Sequence, residues 1–208
     1  MVKVHYIFDP MCGWCYGATS LAETVAKSAN VELIMHPGGM IDNKALSAEF
    51  KQQVLTYDKQ IAKITGQSFG LAYQNRISGN KAVIVDSYIT AQAIHAVQII
   101  NGRGFEMLKN IQAAHYQEGL DTTKPELLTQ LATDLGVDVS HWHEQMKQAK
   151  NEINDVIRKT HLLMDKCRVQ GFPTFVLENE NGLLALDHTK YYSDISGWEK
   201  IIQQAGEV

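Results

Sequence analysis

The hydrophobic period changes twice along this chain, and that double change restricts the fold more than any other feature. Residues 2–8 alternate apolar and polar positions and are rich in Val, Ile and aromatics, which predicts a strand. After a break at Asp9-Pro10, the apolar positions Ala18, Leu21, Ala22, Val25 and Ala26 follow the i, i+3, i+4, i+7, i+8 spacing of an amphipathic helix. Val31 to His36 is a short apolar run stopped by Pro37-Gly38-Gly39. A right-handed crossover places the two strands parallel in one sheet, giving a βαβ unit.

From about residue 44 the period is helical for more than half the chain. Ser87 to Ile100 is apolar nearly all round, as in a buried helix. Thr123-x-x-Glu126 reads as a capping box ahead of Leu128, Leu131, Ala132 and Leu135, with Gly136 as the stop. Ser140 is expected to cap one long helix whose stripe runs Trp142, Met146, Ala149, Ile153, Val156, Thr160, Leu163, Cys167. Strand character returns at Thr174 to Leu177, a turn follows at Asn179 to Gly182, and Leu183 to Leu186 forms the second arm of a hairpin. A last helix runs from Ser196 through Trp198, Ile201 and Ile202. The order βαβ, helices, ββα predicts one α/β domain, residues 1–40 and 166–208, interrupted by a helical insertion over 41–165. There is no internal repeat and no flexible linker.

Composition narrows the function classes. With 45% apolar and 20% charged residues over 208 positions, the chain can bury a full core without metals or disulfides. The net charge of −4 is not gathered into runs, so the electrostatic footprint of a nucleic-acid or anionic-membrane binder is missing. Apolar stretches such as Ala82-Val83-Ile84-Val85 fall far short of the roughly 18 residues of a membrane span. No hydrophobic signal-peptide core precedes the first strand, so the expected location is the cytoplasm. Three cysteines are too few for a disulfide framework, and cysteine chemistry in a reducing compartment is expected to be reversible.

The chemistry concentrates at Cys12-Gly13-Trp14-Cys15, between the first strand and the first helix. Two cysteines three apart can close a small disulfide. Unpaired backbone N–H groups and the positive end of the helix dipole favour the thiolate of the first, which makes Cys12 the accessible nucleophile. Cys15, one turn further, is expected to be more buried and to act as the resolving thiol. A zinc site would need two further ligands, and neither a second CxxC nor a His a few residues downstream supplies them, so no metal is expected; inert packing is the remaining bland reading. The second feature is Gly171-Phe172-Pro173-Thr174-Phe175. A proline here implies an edge, a bulge, a cis bond or a trans proline opening the strand, and the CxxC motif favours the cis reading.

Together these motifs resemble the thioredoxin fold of the DsbA-like thiol-disulfide oxidoreductases, and Asp9-Pro10-x-Cys12-x-Trp14-Cys15-Tyr16-Gly17 is similar to the FrnE-like, disulfide-isomerase branch. The resemblance spans nearly the whole chain. It implies Cys12 as nucleophile, Cys15 as resolving thiol and Pro173 as a cis-proline beside the disulfide, with Phe172 offering its backbone to a substrate chain. It implies no cofactor beyond the redox-active disulfide, glutathione as a candidate co-substrate, and disulfide-containing proteins or small thiols as partners. Two positions depart from the pattern: Gly13 stands where many relatives carry Pro, and Phe172 is bulkier than the usual residue before the cis-proline.

Other residues read more plainly. Trp14, a large ring between the cysteines, is expected to touch substrate rather than core. Cys167 is expected to pack as a small buried hydrophobe. His141 and His143, two apart on a helix, point to different faces and make no ligand pair. Pro37-Gly38-Gly39 and the Asn101 to Gly104 segment lack phosphate-loop spacing and read as turns. The leading expectation is therefore a dithiol oxidoreductase of the disulfide isomerase or reductase type. A glutathione-dependent transferase or isomerase of the kappa-class type is the alternative, although those relatives usually carry serine at the first position and lack the second cysteine. A non-catalytic peptide-binding chaperone is the third.

Overall fold

The computed structural model describes residues 2–206; residues 1 and 207–208 of the expected terminal segments lie outside the described residues. The chain opens with β1 (Val2–Phe8), α1 (Gly13–Gly17), α2 (Thr19–Lys27) and β2 (Val31–Pro37). The middle holds β3 (Lys44–Ala45), α3 (Ala48–Thr65), α4 (Leu71–Ser78), β4 (Ile84–Val85), α5 (Ser87–Asn101), α6 (Gly104–Tyr116), α7 (Pro125–Asp134) and α8 (Val139–Cys167). It closes with β5 (Thr174–Asn179), β6 (Gly182–Leu186) and α9 (Ile195–Gly206).

One mixed sheet has the strand order β2-β1-β5-β6. The β1–β2 pairing is parallel, as the βαβ reading requires, and β5 runs antiparallel to both β1 and β6. Central β1 is covered on both faces. Tyr6 stacks on Phe8 and on Phe175, and Trp198 of α9 meets Phe175 edge-on while its indole N–H donates to the Leu21 carbonyl at 3.0 Å. On the opposite face Ile7 and Val176 pack with Met164 of α8. Because Ile7 pairs with Thr174, Pro173 at the head of β5 arrives beside the end of β1, from which the cysteine segment departs. The sheet register thus brings together two motifs 160 residues apart.

Several local expectations are corrected. The first helix is broken at Ala18, so α1 has five residues and α2 nine. The insertion carries, besides its helices, a short antiparallel ladder between β3 and β4. Thr123 caps nothing, because its hydroxyl donates to Asp121 Oδ1 at 2.7 Å and α7 starts on Pro125, which needs no N–H partner. Asp138, not Ser140, caps α8, accepting from the Ser140 and His141 amides at 3.0 and 3.1 Å. Along α8 the buried side is Trp142, Ala149, Ile153, Ile157, Thr160 and Met164. The expected stripe repeated every seven residues, whereas a straight helix drifts by about 20° per heptad, so Ile157 and Met164 replace Val156 and Leu163. Cys167 is correspondingly half-buried at the edge of the Met164 cluster rather than in the core.

Candidate active site

Cys12 is the residue preceding α1, with an extended backbone at φ −90° and ψ 118°, and Cys15 lies one turn inside. Both are free thiols. Their surroundings differ in the expected order, but Cys12 is not freely accessible: it is 8% exposed, against 0% for Cys15. The reason is the neighbouring loop, since the Cys12 thiol donates to the Phe172 carbonyl at 3.6 Å, and the Phe172–Pro173 peptide bond is cis. Cys12 is therefore covered on the side of that loop and borders a cavity on the side of α3. Cys15 accepts from the Asp9 amide at 3.3 Å, and burial, with Cys12 adjacent, holds its thiol well above the ordinary range.

Beneath the pair sits an acid that spacing alone did not single out. Asp9 is fully buried and accepts from the Met11 amide at 2.9 Å, the Met40 amide at 2.6 Å and the Ser87 hydroxyl at 2.7 Å. Burial raises its pKa against these hydrogen bonds. One carboxyl group thereby joins the end of β1, the loop after β2 and the start of α5. In sequence Asp9 looks like a strand stop before Pro10, and only its place inside the motif hinted at more.

The two departures from the family pattern have physical causes. On α3, Asp58, Ile61 and Thr65 share one face, and that face lies on Gly13 and Gly17 of α1. A side chain at Gly13 would meet Asp58 Oδ1 and Ile61 at 3.1 Å, and one at Gly17 would meet Ile61 and Thr65 at 2.9 and 3.0 Å. The insertion sits so close to the motif that a larger residue between the cysteines would press on it. Phe172 is matched in the same way: its ring lies over Gly38, in the space any side chain there would occupy. The Gly38 amide donates to the Phe8 carbonyl at 2.7 Å, and His161 Nε2–H of α8 donates to the Gly38 carbonyl at 2.7 Å. Pro37-Gly38-Gly39 is not the simple turn expected, because Pro37 completes β2 opposite Phe8, and Gly38 just beyond it is the bed of Phe172.

Trp14 is half-buried, with its ring centroid 5.7 Å from that of Tyr192. It packs against the core and also lines the cavity beside Cys12. Tyr192 comes from the segment after β6, and burial next to the cysteines pushes its hydroxyl up. His141 and His143 are exposed, on either side of the buried Trp142. Among the described residues no cluster of His, Cys, Asp or Glu is arranged to hold a metal ion, and no helix is long and apolar enough to cross a membrane.

A mixed βαβ–ββα sheet, a dithiol at the head of its first helix and a cis-proline opposite define a thioredoxin-fold dithiol protein. The family profile of the DSBA-like thioredoxin domain matches residues 3–192, and the chain belongs to that family. Among solved structures it is similar to the cytosolic disulfide reductase DsbM from Pseudomonas aeruginosa, at 29% identity and a TM-score of 0.90 over 97% of each chain. The same protein crystallised with GSH aligns at 28% identity and a TM-score of 0.90 over 99% of this chain and 100% of that one. A 2-hydroxychromene-2-carboxylate isomerase shares the fold at 15% identity and a TM-score of 0.61, over 99% and 98% of the two chains. No curated protein sequence matches the chain.

Proposed function

We propose that the protein is a thiol-disulfide oxidoreductase working as a reductase or isomerase of client disulfides through Cys12 and Cys15. The observation that carries this reading is the asymmetry of the pair. Cys12 meets the Phe172 carbonyl and borders the cavity, whereas Cys15 is sealed behind it with its thiol held protonated by burial. In the reaction the Cys12 thiolate attacks one sulfur of a client disulfide. A Cys12–client mixed disulfide forms, and the other client sulfur leaves as a thiolate that takes a proton from water. Cys15 then attacks the Cys12 sulfur, its proton going to the departing client thiolate, and the Cys12–Cys15 disulfide is left behind. Two electrons have passed from the dithiol to the client. A small thiol such as glutathione can return them, two molecules being oxidised to one disulfide; the glutathione-bound relative supports that choice of reductant. The Phe172 backbone and Trp14 border the place where a client chain would lie.

The presence of Cys15 favours this over transferase chemistry, which needs no resolving thiol. Cys12→Ser and Cys15→Ser variants assayed for insulin-disulfide reduction with glutathione test the reading. Loss of turnover in both supports it, whereas glutathione conjugation that survives without Cys15 supports the transferase, and client binding unchanged in both variants supports a chaperone. The residues between the cysteines carry no charge to stabilise the Cys12 thiolate. The reduction potential is therefore expected at about −170 to −250 mV, between the values of DsbA and thioredoxin, and a glutathione titration measures it.

A further inference from the structure

We infer that the cavity beside Cys12 is a subsite for an ammonium group carried close to the sulfur of the disulfide being reduced, with Asp58 as its counter-ion. The inference rests on the reading of Cys12 as nucleophile and adds the chemistry of what Cys12 attacks. A cavity of about 210 Å³ runs from Cys12 and Gly13 to Asp58, walled by Tyr57, Tyr73 and Tyr116. Asp58 is 4% exposed. Its Oδ2 accepts from the Tyr73 hydroxyl at 2.8 Å, and its Oδ1, which lies against Gly13, accepts no hydrogen bond among the described residues. His115 lines the same cavity at 3% exposure, and its Nδ1 has no partner.

These features discriminate among ligands. A buried carboxylate with a single neutral donor retains much of its desolvation penalty, so a ligand that supplies donors and positive charge gains most there. An ammonium offers N–H donors for Oδ1, and the aromatic side chains among the cavity walls favour a cation over a neutral group. A hydrocarbon group would leave that oxygen unsatisfied, and an anion would meet a carboxylate in a poorly solvated pocket. No Lys or Arg lines the cavity. The ammonium has two chemical sources, a small aminothiol disulfide or a lysine beside the half-cystine of a polypeptide.

The charge of the subsite is switchable. Burial raises Asp58 to about 6. The titratable groups that share the cavity with it from other elements are Tyr73 on α4, His115 and Tyr116 on α6, and Cys12 at α1, and Arg76 of α4 acts on Tyr73. Burial holds His115 down at about 3 and raises both tyrosines, while Arg76 pairs with Asp121 at 3.4 Å. Of these side chains outside the dithiol, Asp58 is the one that changes charge near pH 6, and it loses its charge as pH falls.

The test compares kcat/KM for cystamine with that for the neutral bis(2-hydroxyethyl) disulfide, each divided by its rate with free dithiothreitol, a ratio in which the state of Cys12 and the better leaving ability of cysteamine both cancel. The wild type should favour cystamine by about tenfold, equivalent to about 1.4 kcal/mol. The ratio should fall to near one in Asp58→Asn, and in the wild type it should decay as pH is lowered through about 6, a readout that needs no variant. Paired peptide disulfides with lysine or norleucine beside the cysteine form the second arm. A preference for lysine alone assigns the ammonium to a protein client, and one for cystamine alone to a small aminothiol. Equal turnover of charged and neutral members in both arms, or a preference that persists in Asp58→Asn and at pH 5, overturns the subsite. If no disulfide is reduced at all, the dithiol reading fails and takes the subsite with it.

Discussion

The two sides of the Cys12–Cys15 pair are finished differently. Towards the sheet, Asp9 and Tyr6 tie the pair down: the Asp9 amide meets Cys15, the Asp9 carboxyl collects three donors, and the Tyr6 hydroxyl donates to the Cys15 carbonyl at 3.1 Å. Towards the insertion, the pair faces a cavity in which Asp58 has one donor and His115 Nδ1 none. A satisfied polar network holds its members in one arrangement, whereas an unsatisfied one is an invitation to a ligand. The comparison teaches that one side holds the two cysteines in place, while the side towards the insertion keeps open the cavity in which the subsite is proposed.

Substitutions can break this division, and the largest effect belongs to the pair itself. Cys12→Ser should lower client reduction on the order of a thousandfold or more, while Cys15→Ser should accumulate a Cys12 mixed disulfide visible by mass spectrometry. If Cys15→Ser trapped no mixed disulfide, Cys12 and Cys15 would not have the separate roles proposed for them.

On the sheet side, Asp9→Ala strips the acceptor from three buried donors and should cost about 3 kcal/mol in urea unfolding. A loss below about 0.5 kcal/mol would mean the network is ornamental. The insertion side should respond with the opposite sign. Asp58 is raised from 3.8 to about 6 in the fold, so its contribution favours the folded state below pH 4 and is lost as pH rises through about 6. Asp58→Asn should therefore stabilise the protein by about 1–3 kcal/mol at pH 7.5 and by little at pH 4, measured by paired denaturation curves. The smallest effect is expected where the sides meet. Gly13→Ala must displace Asp58 or Ile61 by a few tenths of an ångström, which should cost about 1 kcal/mol and leave the dithiol intact. A much larger loss would show that α3 cannot yield.

The sheet-side half of the site was legible in the sequence, because its signals are local. Alternation marked β1 and β5, the spacing of Cys12 and Cys15 marked the redox pair, and a proline at the head of a strand marked Pro173. The insertion-side half was not. Asp58 and His115 lie on helices where polar residues usually face water; the approach of α3 to two glycines encloses the first, and the rings of Tyr73 and Tyr116 cover the second. Gly13 itself was noticed as a departure, but its partner 45 residues away was not visible. The capping errors have a similar origin: Thr123 and Ser140 fit the pattern, yet Asp121 and Asp138 lay within reach and formed the bonds instead.

The contact between Phe172 and Gly38 ties two positions far apart in the chain into one unit of inheritance. The ring occupies the volume that a side chain at position 38 would need, so Gly38 cannot gain a side chain while the ring stays. A methyl at position 38 evicts the ring and drags the carbonyl that holds the Cys12 proton out of line. A small residue at position 172 leaves a hollow floor under the client's path. A lineage moving towards a different client surface would have to cross that barrier with both substitutions together, and descendants that kept the ring would be expected to have kept the glycine.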